Sequence, residues 1–151
     1  RKHILYIIRE LLNFDPVSSK TNIGAAVEFM TNAIKKRCTV FILSDFFDKD
    51  DFTSQLTIAN RRHDVVALQI YDQRLAELPN IGIIKVCDAE TGSETYIDTS
   101  SRQTRRAHHE WWVRNQVLLR NIFTKSNVDN ISIRTDEDFV KALMMLFRRR
   151  A

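Results

Sequence analysis

Glycine and proline are scarce in this chain, three and two respectively in 151 residues. So few turn formers leave little room for disordered linkers. Gly24, Gly82 and Gly92 make neither G-x-G-x-x-G nor G-x-x-x-x-G-K, which disfavours a phosphate-cradling loop and nucleotide binding. Cysteine is equally sparse. Cys38 and Cys87 form no C-x-x-C pair and no Cys/His metal spacing. They are expected to be reduced, mostly buried thiols in a reducing, cytoplasmic compartment. Apolar runs such as Val40-Phe41-Ile42-Leu43 fall far short of the roughly 20 residues that a membrane span needs. No secretory signal is visible. Charge of one sign is also in short supply. The net charge is +4, and removing Arg148, Arg149 and Arg150 leaves +1. That is not the basic stripe that nucleic-acid recognition requires.

What is present is a normal globular balance, 44% apolar and 28% charged. The length suits one domain, residues 1–151, with one sizeable core. The opening Arg1-Lys2-His3 has no Met, so a longer parent is expected.

Helices and strands alternate along the chain. Residues 3–13 place Ile4, Leu5, Ile8, Leu11 and Leu12 on one helical face, with Asp15-Pro16 as the stop. Residues 22–36 repeat the pattern through Ile23, Ala26, Val27, Met30, Ala33 and Ile34, capped by Thr21 or Asn22. Residues 38–44 and 64–71 are continuous apolar runs, as strands buried on both faces of a parallel sheet read. Between them a helix over about 50–60 turns Phe52, Leu56 and Ala59 inward. Residues 82–98 read as a β-hairpin around a glycine-containing loop. A long helix over 102–125 is expected to bury Ala107, Trp111, Leu118 and Ile122. A third core strand covers 128–134. Thr135 then caps a last helix with Asp138 completing a capping box, and Phe139, Val140, Leu143, Met144 and Phe147 form its buried stripe. The sum is a three-layer α/β fold, a parallel sheet with flanking helices, plus the hairpin near the far edge. Two helices precede the first strand, as though earlier strands lay upstream.

Several pieces resemble a known family in order and spacing. They are Arg1-Lys2-His3-Ile4-Leu5, Thr21-Asn22-Ile23, Leu43-Ser44-Asp45-Phe46, Arg62-His63-Asp64-Val65-Val66-Ala67 and Tyr71-Asp72. Glu77-Leu78-Pro79, Asp88-Ala89-Glu90-Thr91-Gly92, Asp98-Thr99-Ser100-Ser101 and Thr135-Asp136-Glu137-Asp138 follow. Together they resemble the domain of unknown function 58 family. That group is von Willebrand factor A-like and is often encoded beside MoxR-type AAA+ ATPases. The resemblance covers nearly the whole chain. It implies the C-terminal part of a single A-like, Rossmann-like domain, whose Asp-x-Ser-x-Ser metal motif would stand upstream. It matches Thr21 and Asp45 to the second and third metal-site motifs. Mg²⁺ or Mn²⁺ would then belong to the full-length parent, with an incomplete remnant here.

The residues themselves permit that placement. Asp45 directly follows a core strand, and Thr21 precedes the helix leading into it. Ligands of open α/β sheets gather beyond the carboxyl ends of the strands, and hydroxyl and carboxylate oxygens suit hard cations. The bland alternative is a helix cap at Thr21 and a loop acceptor at Asp45. Asp48-Lys49-Asp50-Asp51 lacks the glycine and distal glutamate of a calcium loop and reads as carboxylates opening a helix. Three functions follow as expectations. The first is a non-enzymatic interaction or scaffold module, an adaptor for a MoxR-type AAA+ ATPase, with self-association through strand 38–44. The second is a hydrolase or phosphotransfer enzyme using Asp45 and Asp72. The third is a nucleic-acid binder through Arg148–Arg150. His108-His109 cannot chelate one ion together, because adjacent helical positions point about 100° apart. Of Trp111 and Trp112, one is expected in the core and the other at a rim suited to a protein interface.

Overall fold

A computed structural model describes residues 2–15, 20–88 and 91–150. Pro16, part of the expected stop signal, and Ala89-Glu90 of the hairpin loop lie outside them.

The element order is α1 (Lys2–Asn13), α2 (Ile23–Ala33), β1 (Thr39–Ser44), α3 (Thr53–Arg62), β2 (Asp64–Tyr71) and α4 (Gln73–Ala76). Then come β3 (Ile83–Cys87), β4 (Glu94–Asp98), α5 (Arg102–Ser126), β5 (Asp129–Arg134) and α6 (Phe139–Arg150). The sheet β1-β2-β5 is wholly parallel. Thr39 stands opposite Asp64, and Val66 opposite Asp129.

β2 is central, and its side chains alternate between two cores, as the pleat dictates. Val65 and Ala67 join Ile23, Val27, Leu56, Leu119 and Phe123 beneath α2, α3 and α5. Val66 and Leu68 meet Leu146 of α6, with Ile131 and Leu143 beside them. This is the expected three-layer arrangement, helices on both faces of a parallel sheet. Phe52, Leu56 and Ala59 are all buried, as the spacing predicts. Asn60 ties the first layer together: its amide donates to the Asn127 carbonyl at 2.5 Å, and its oxygen accepts the Val65 N–H at 3.2 Å. Asn127 ends α5 in the left-handed region, φ 53°, the usual way a helix closes on its last carbonyls.

Several expectations are corrected. β1 is not buried on both faces: Phe41 and Leu43 are 44% and 61% exposed, and among the described residues β2 is its one strand neighbour. α2 ends at Ala33, because Ile34 turns to extended backbone. α5 buries Trp112, Leu119, Phe123 and Ser126, while Ala107, Trp111 and Leu118 face outward. α6 starts from Asp138, whose carboxylate accepts the Val140 N–H at 3.0 Å, and not from Thr135. Its buried residue is Leu146, flanked by half-buried Leu143, while Phe139, Val140, Met144 and Phe147 are exposed. α1 forms as expected, but none of its residues is buried.

The hairpin does not extend the main sheet. β3 and β4 form a separate antiparallel pair. Fully buried Thr99 locks its root: the hydroxyl donates to the Gly82 carbonyl at 2.6 Å and accepts the Ile81 N–H at 3.2 Å. Gly82 has φ +86°, a conformation that side chains strain to reach. Cys87, at the end of this uncovered ribbon, is exposed, and Cys38 is half-buried. The expected burial therefore fails for Cys87, while Cys38 is largely covered.

Candidate functional site

Asp45 leaves the carboxyl end of β1 and begins a loop that turns back on itself. Phe46 adopts φ 59°, rare for an aromatic residue. Its ring is buried against Phe52 and edge-on to Phe123 at 5.1 Å between centroids, so core packing holds the strained backbone. The Asp45 carboxylate accepts the Phe47 N–H at 3.2 Å and the Ser44 hydroxyl at 3.4 Å. Beneath the loop lies Gln69, which is 2% exposed. Its amide donates to the Asp45 carbonyl at 3.2 Å, and its oxygen accepts the Ser132 hydroxyl at 2.8 Å. One buried side chain thus links the ends of all three parallel strands.

The loop also grips the start of α2. Asn22 caps that helix through the Ala25 N–H at 2.7 Å, and Asp48 accepts the Ile23 N–H at 2.7 Å. Negative charge is favourable there because the first helical N–H groups carry partial positive charge. Thr21 is therefore brought to the same end of the sheet as Asp45, in a groove it shares with Ser44. Asn22 makes the cap that the sequence left open between Thr21 and Asn22.

A cavity of about 350 Å³ opens between this loop and α5, lined by Asp45, Asp48, Asp51, Gln69, Asn115 and Lys125 among others. The carboxylates of Asp45, Asp48 and Asp51 already accept backbone N–H groups. Asp48 also accepts the Asp50 N–H at 3.1 Å, and Asp51 takes the N–H and hydroxyl of Thr53. The Thr53 hydroxyl, then its N–H, holds the Asp51 carboxyl below its ordinary value. This agrees with the helix-opening reading of Asp48–Asp51. No group of three or more His, Cys, Asp or Glu residues suited to a metal occurs among the described residues. Thr21 and Asp45 are two hard-oxygen donors, fewer than the six ligands that Mg²⁺ demands.

Asp72 lies elsewhere. It caps α4 through the Arg74 N–H at 2.7 Å and lines a different cavity, with Thr135 and Asp136. The described cavities do not bring Asp45 and Asp72 together as an acid/base pair. His108 and His109 contact the Leu75 and Ala76 carbonyls at 2.9 and 3.4 Å, pinning α4 to α5. Trp112 is the core tryptophan, 5.0 Å from the Tyr71 ring, while Trp111 is 38% exposed and stacks on Phe47 at 5.3 Å. The C-terminal arginines are not a free basic run. Arg150 pairs with Asp64 and, at 2.9 Å, with Asp129, and Arg149 donates to the Asn130 carbonyl.

Sequence reasoning missed Gln69, Phe46 and α4. A glutamine inside an apolar strand was the available signal for the first, and Asp72 as a capping residue for the third. Nothing in the sequence marked the positive φ of Phe46.

The arrangement is that of an α/β domain with a parallel sheet, helices on both faces, and a polar corner at the strand ends. The chain belongs to the family described as Protein of unknown function DUF58, which matches residues 1–117. It is 25% identical to "Uncharacterized protein MAV169" of Mycobacterium avium over 135 residues, 89% of this chain and 79% of that protein. It is 29% identical over 77 residues to "Uncharacterized protein Rv1480" of Mycobacterium tuberculosis, 51% of this chain and 24% of that protein. The match to "Uncharacterized protein Mb1516" of Mycobacterium bovis has the same extent. The chain thus spans about a quarter of the length of these last two relatives. No solved structure matches it significantly.

Proposed function

We propose that this chain serves as a non-enzymatic protein-interaction module, acting in a reducing, cytoplasmic setting as an adaptor for a MoxR-type AAA+ ATPase. The observation that supports self-association of the isolated chain is the edge of β1 that no described strand covers. A groove of about 420 Å³ runs along that edge between α2 and β1, lined by Ile23, Ala26, Met30, Val40 and Ile42. Bare strand edges with apolar flanks recruit another chain. The occupant proposed for the isolated chain is a second copy, pairing edge to edge over Val40–Leu43 so that two three-stranded sheets join. The exposed side chains of Phe41 and Leu43 on each copy supply a matching apolar surface. No described helix is long and apolar enough to cross a membrane, so no span in these residues competes for that surface.

Light scattering across a concentration series tests the pairing. Mass is expected to rise toward a dimer, and Phe41→Lys with Leu43→Lys to return it to a monomer with unchanged circular dichroism. A monodisperse monomer at every concentration would refute self-association. The adaptor role is tested separately, by capture of a purified MoxR-type ATPase in nucleotide-free and ATP-bound states. No capture in either state would refute it. A metal remnant at Thr21 and Asp45 belongs to the same reading. It is expected to bind Mn²⁺ weakly, with Asp45→Ala abolishing the signal.

A further inference from the structure

Among the described residues, one buried side-chain nitrogen or oxygen lacks a hydrogen-bond partner: Nε2 of His63, a residue 2% exposed. Buried polar atoms are seldom left in that state, and each exception asks for a reason. The other ring nitrogen, Nδ1, lies 3.4 Å from Cys38 Sγ. The backbone fixes the pair. His63 closes α3 with its N–H on the Ala59 carbonyl at 2.8 Å, and the Cys38 carbonyl accepts the Asp64 N–H at 2.9 Å. Both residues stand at the amino ends of β1 and β2, the opposite end of the sheet from Asp45.

The two cysteines make an internal comparison. Cys87 is exposed, and a backbone carbonyl 3.7 Å from its sulfur is its nearest polar partner described. Cys38 is half-buried but has an imidazole nitrogen directed at its sulfur. A nitrogen base against a thiol is the arrangement that activates sulfur as a nucleophile. No partner is described for Nε2, so Cys38 is the one hydrogen-bond partner described for the ring, and the tautomer with its hydrogen on Nε2 presents Nδ1 to the sulfur as a base.

We propose that Cys38 is an oxidative modification site, a nucleophilic thiol that reacts with hydrogen peroxide while His63 takes its proton. The Sγ–H proton passes to Nδ1. The sulfur electron pair forms a bond to one peroxide oxygen as the O–O bond breaks. The departing hydroxide recovers the proton from Nδ1 and leaves as water. Sulfur is oxidised to the sulfenic acid and the peroxide is reduced. This inference does not depend on the adaptor reading.

The test exposes the intact chain to hydrogen peroxide with a dimedone trap, below the concentration at which any self-association begins. Labelling of each cysteine is timed by mass spectrometry. Cys38 is expected to react several-fold faster than Cys87 in the folded protein, although less exposed, and at a similar rate in urea. His63→Gln is expected to slow Cys38 about tenfold or more, in line with loss of a positioned base, with Cys87 unchanged. Folded Cys38 reacting no faster than Cys87 would overturn the proposal, as would an unaltered Cys38 rate in folded His63→Gln. Should that variant fail to fold, the ratio of folded to unfolded wild-type rates decides alone.

Discussion

The carboxylate of Asp48 accepts the backbone N–H of Ile23 at 2.7 Å, across 25 residues of sequence. This bond, with the burial of Ile23 in the cluster that holds Phe46 and Phe52, ties the loop after β1 to the first turn of α2, where Thr21 shares a groove with Ser44. Asp48→Ala is expected to lower stability by about 1–2 kcal/mol, the usual worth of a capping side chain. Asp48→Asn should recover part of the loss. Urea denaturation of the three proteins measures both effects.

Gln69 offers a second test at the same corner. Its replacement by Leu keeps the volume but strands the Ser132 hydroxyl and the Asp45 carbonyl. A cost of about 1–3 kcal/mol is expected, because those groups lose their partner in a buried place. Amide shifts at Phe46 and Phe47 should move with it, which separates loss of the clamp from general destabilisation.

The layers and strand directions were legible because β2 carries the apolar run Val65-Val66-Ala67-Leu68, as a strand covered on both faces does, between segments of helical period. The inner face of α5 was not. Trp111-Trp112, Leu118-Leu119 and Ile122-Phe123 are apolar doublets, so two stripes one residue apart fit the helical period equally well. Tertiary contacts chose between them, with Trp112 on Tyr71 and Phe123 on Phe46. The α6 stripe failed for a similar reason. Phe139-Val140 and Leu143-Met144-Met145-Leu146-Phe147 wrap more of the helix than the sheet covers. At the polar corner, Asp45 and Thr21 were readable by position, whereas the cap by Asp48 depends on a long-range fold that no local pattern encodes.

Two exposed carboxyl groups, Asp51 and Asp98, are expected to favour the fold less in acid. Hydrogen bonds from the Thr53 hydroxyl and N–H lower Asp51, and those from the Ser100 hydroxyl and N–H lower Asp98, both below the ordinary 3.8. Folded values depressed below unfolded ones stabilise the fold above the unfolded value, and that contribution disappears as pH falls through the folded value. Thr53→Val and Ser100→Ala are each expected to return the adjacent carboxyl toward 3.8. Carboxyl carbon NMR titration reads the shift directly. An unchanged midpoint in both variants would contradict the assignment.

The last helix is held by packing more than by charge. Leu146 is 1% exposed against Val66 and Leu68, and its truncation to Ala is expected to cost about 2–5 kcal/mol. Arg150→Ala breaks the pairs with Asp64 and Asp129, which remain partly exposed, and should cost no more than about 1 kcal/mol. Thermal unfolding of the two variants at equal ionic strength ranks them, and high salt should shrink only the second effect.

The central place of β2 has a temporal meaning. Its side-chain link to β1, from Thr39 to Asp64, spans 25 positions, whereas its link to β5, from Gln69 to Ser132, spans 63. Closing the longer loop costs roughly 0.8 kcal/mol more in chain entropy by logarithmic scaling. A growing chain can therefore pair β1 with β2 around α3 while α5 is still emerging. β5 is therefore expected to pair after β1 and β2 have met, with Val66 and Leu68 covered once α6 docks.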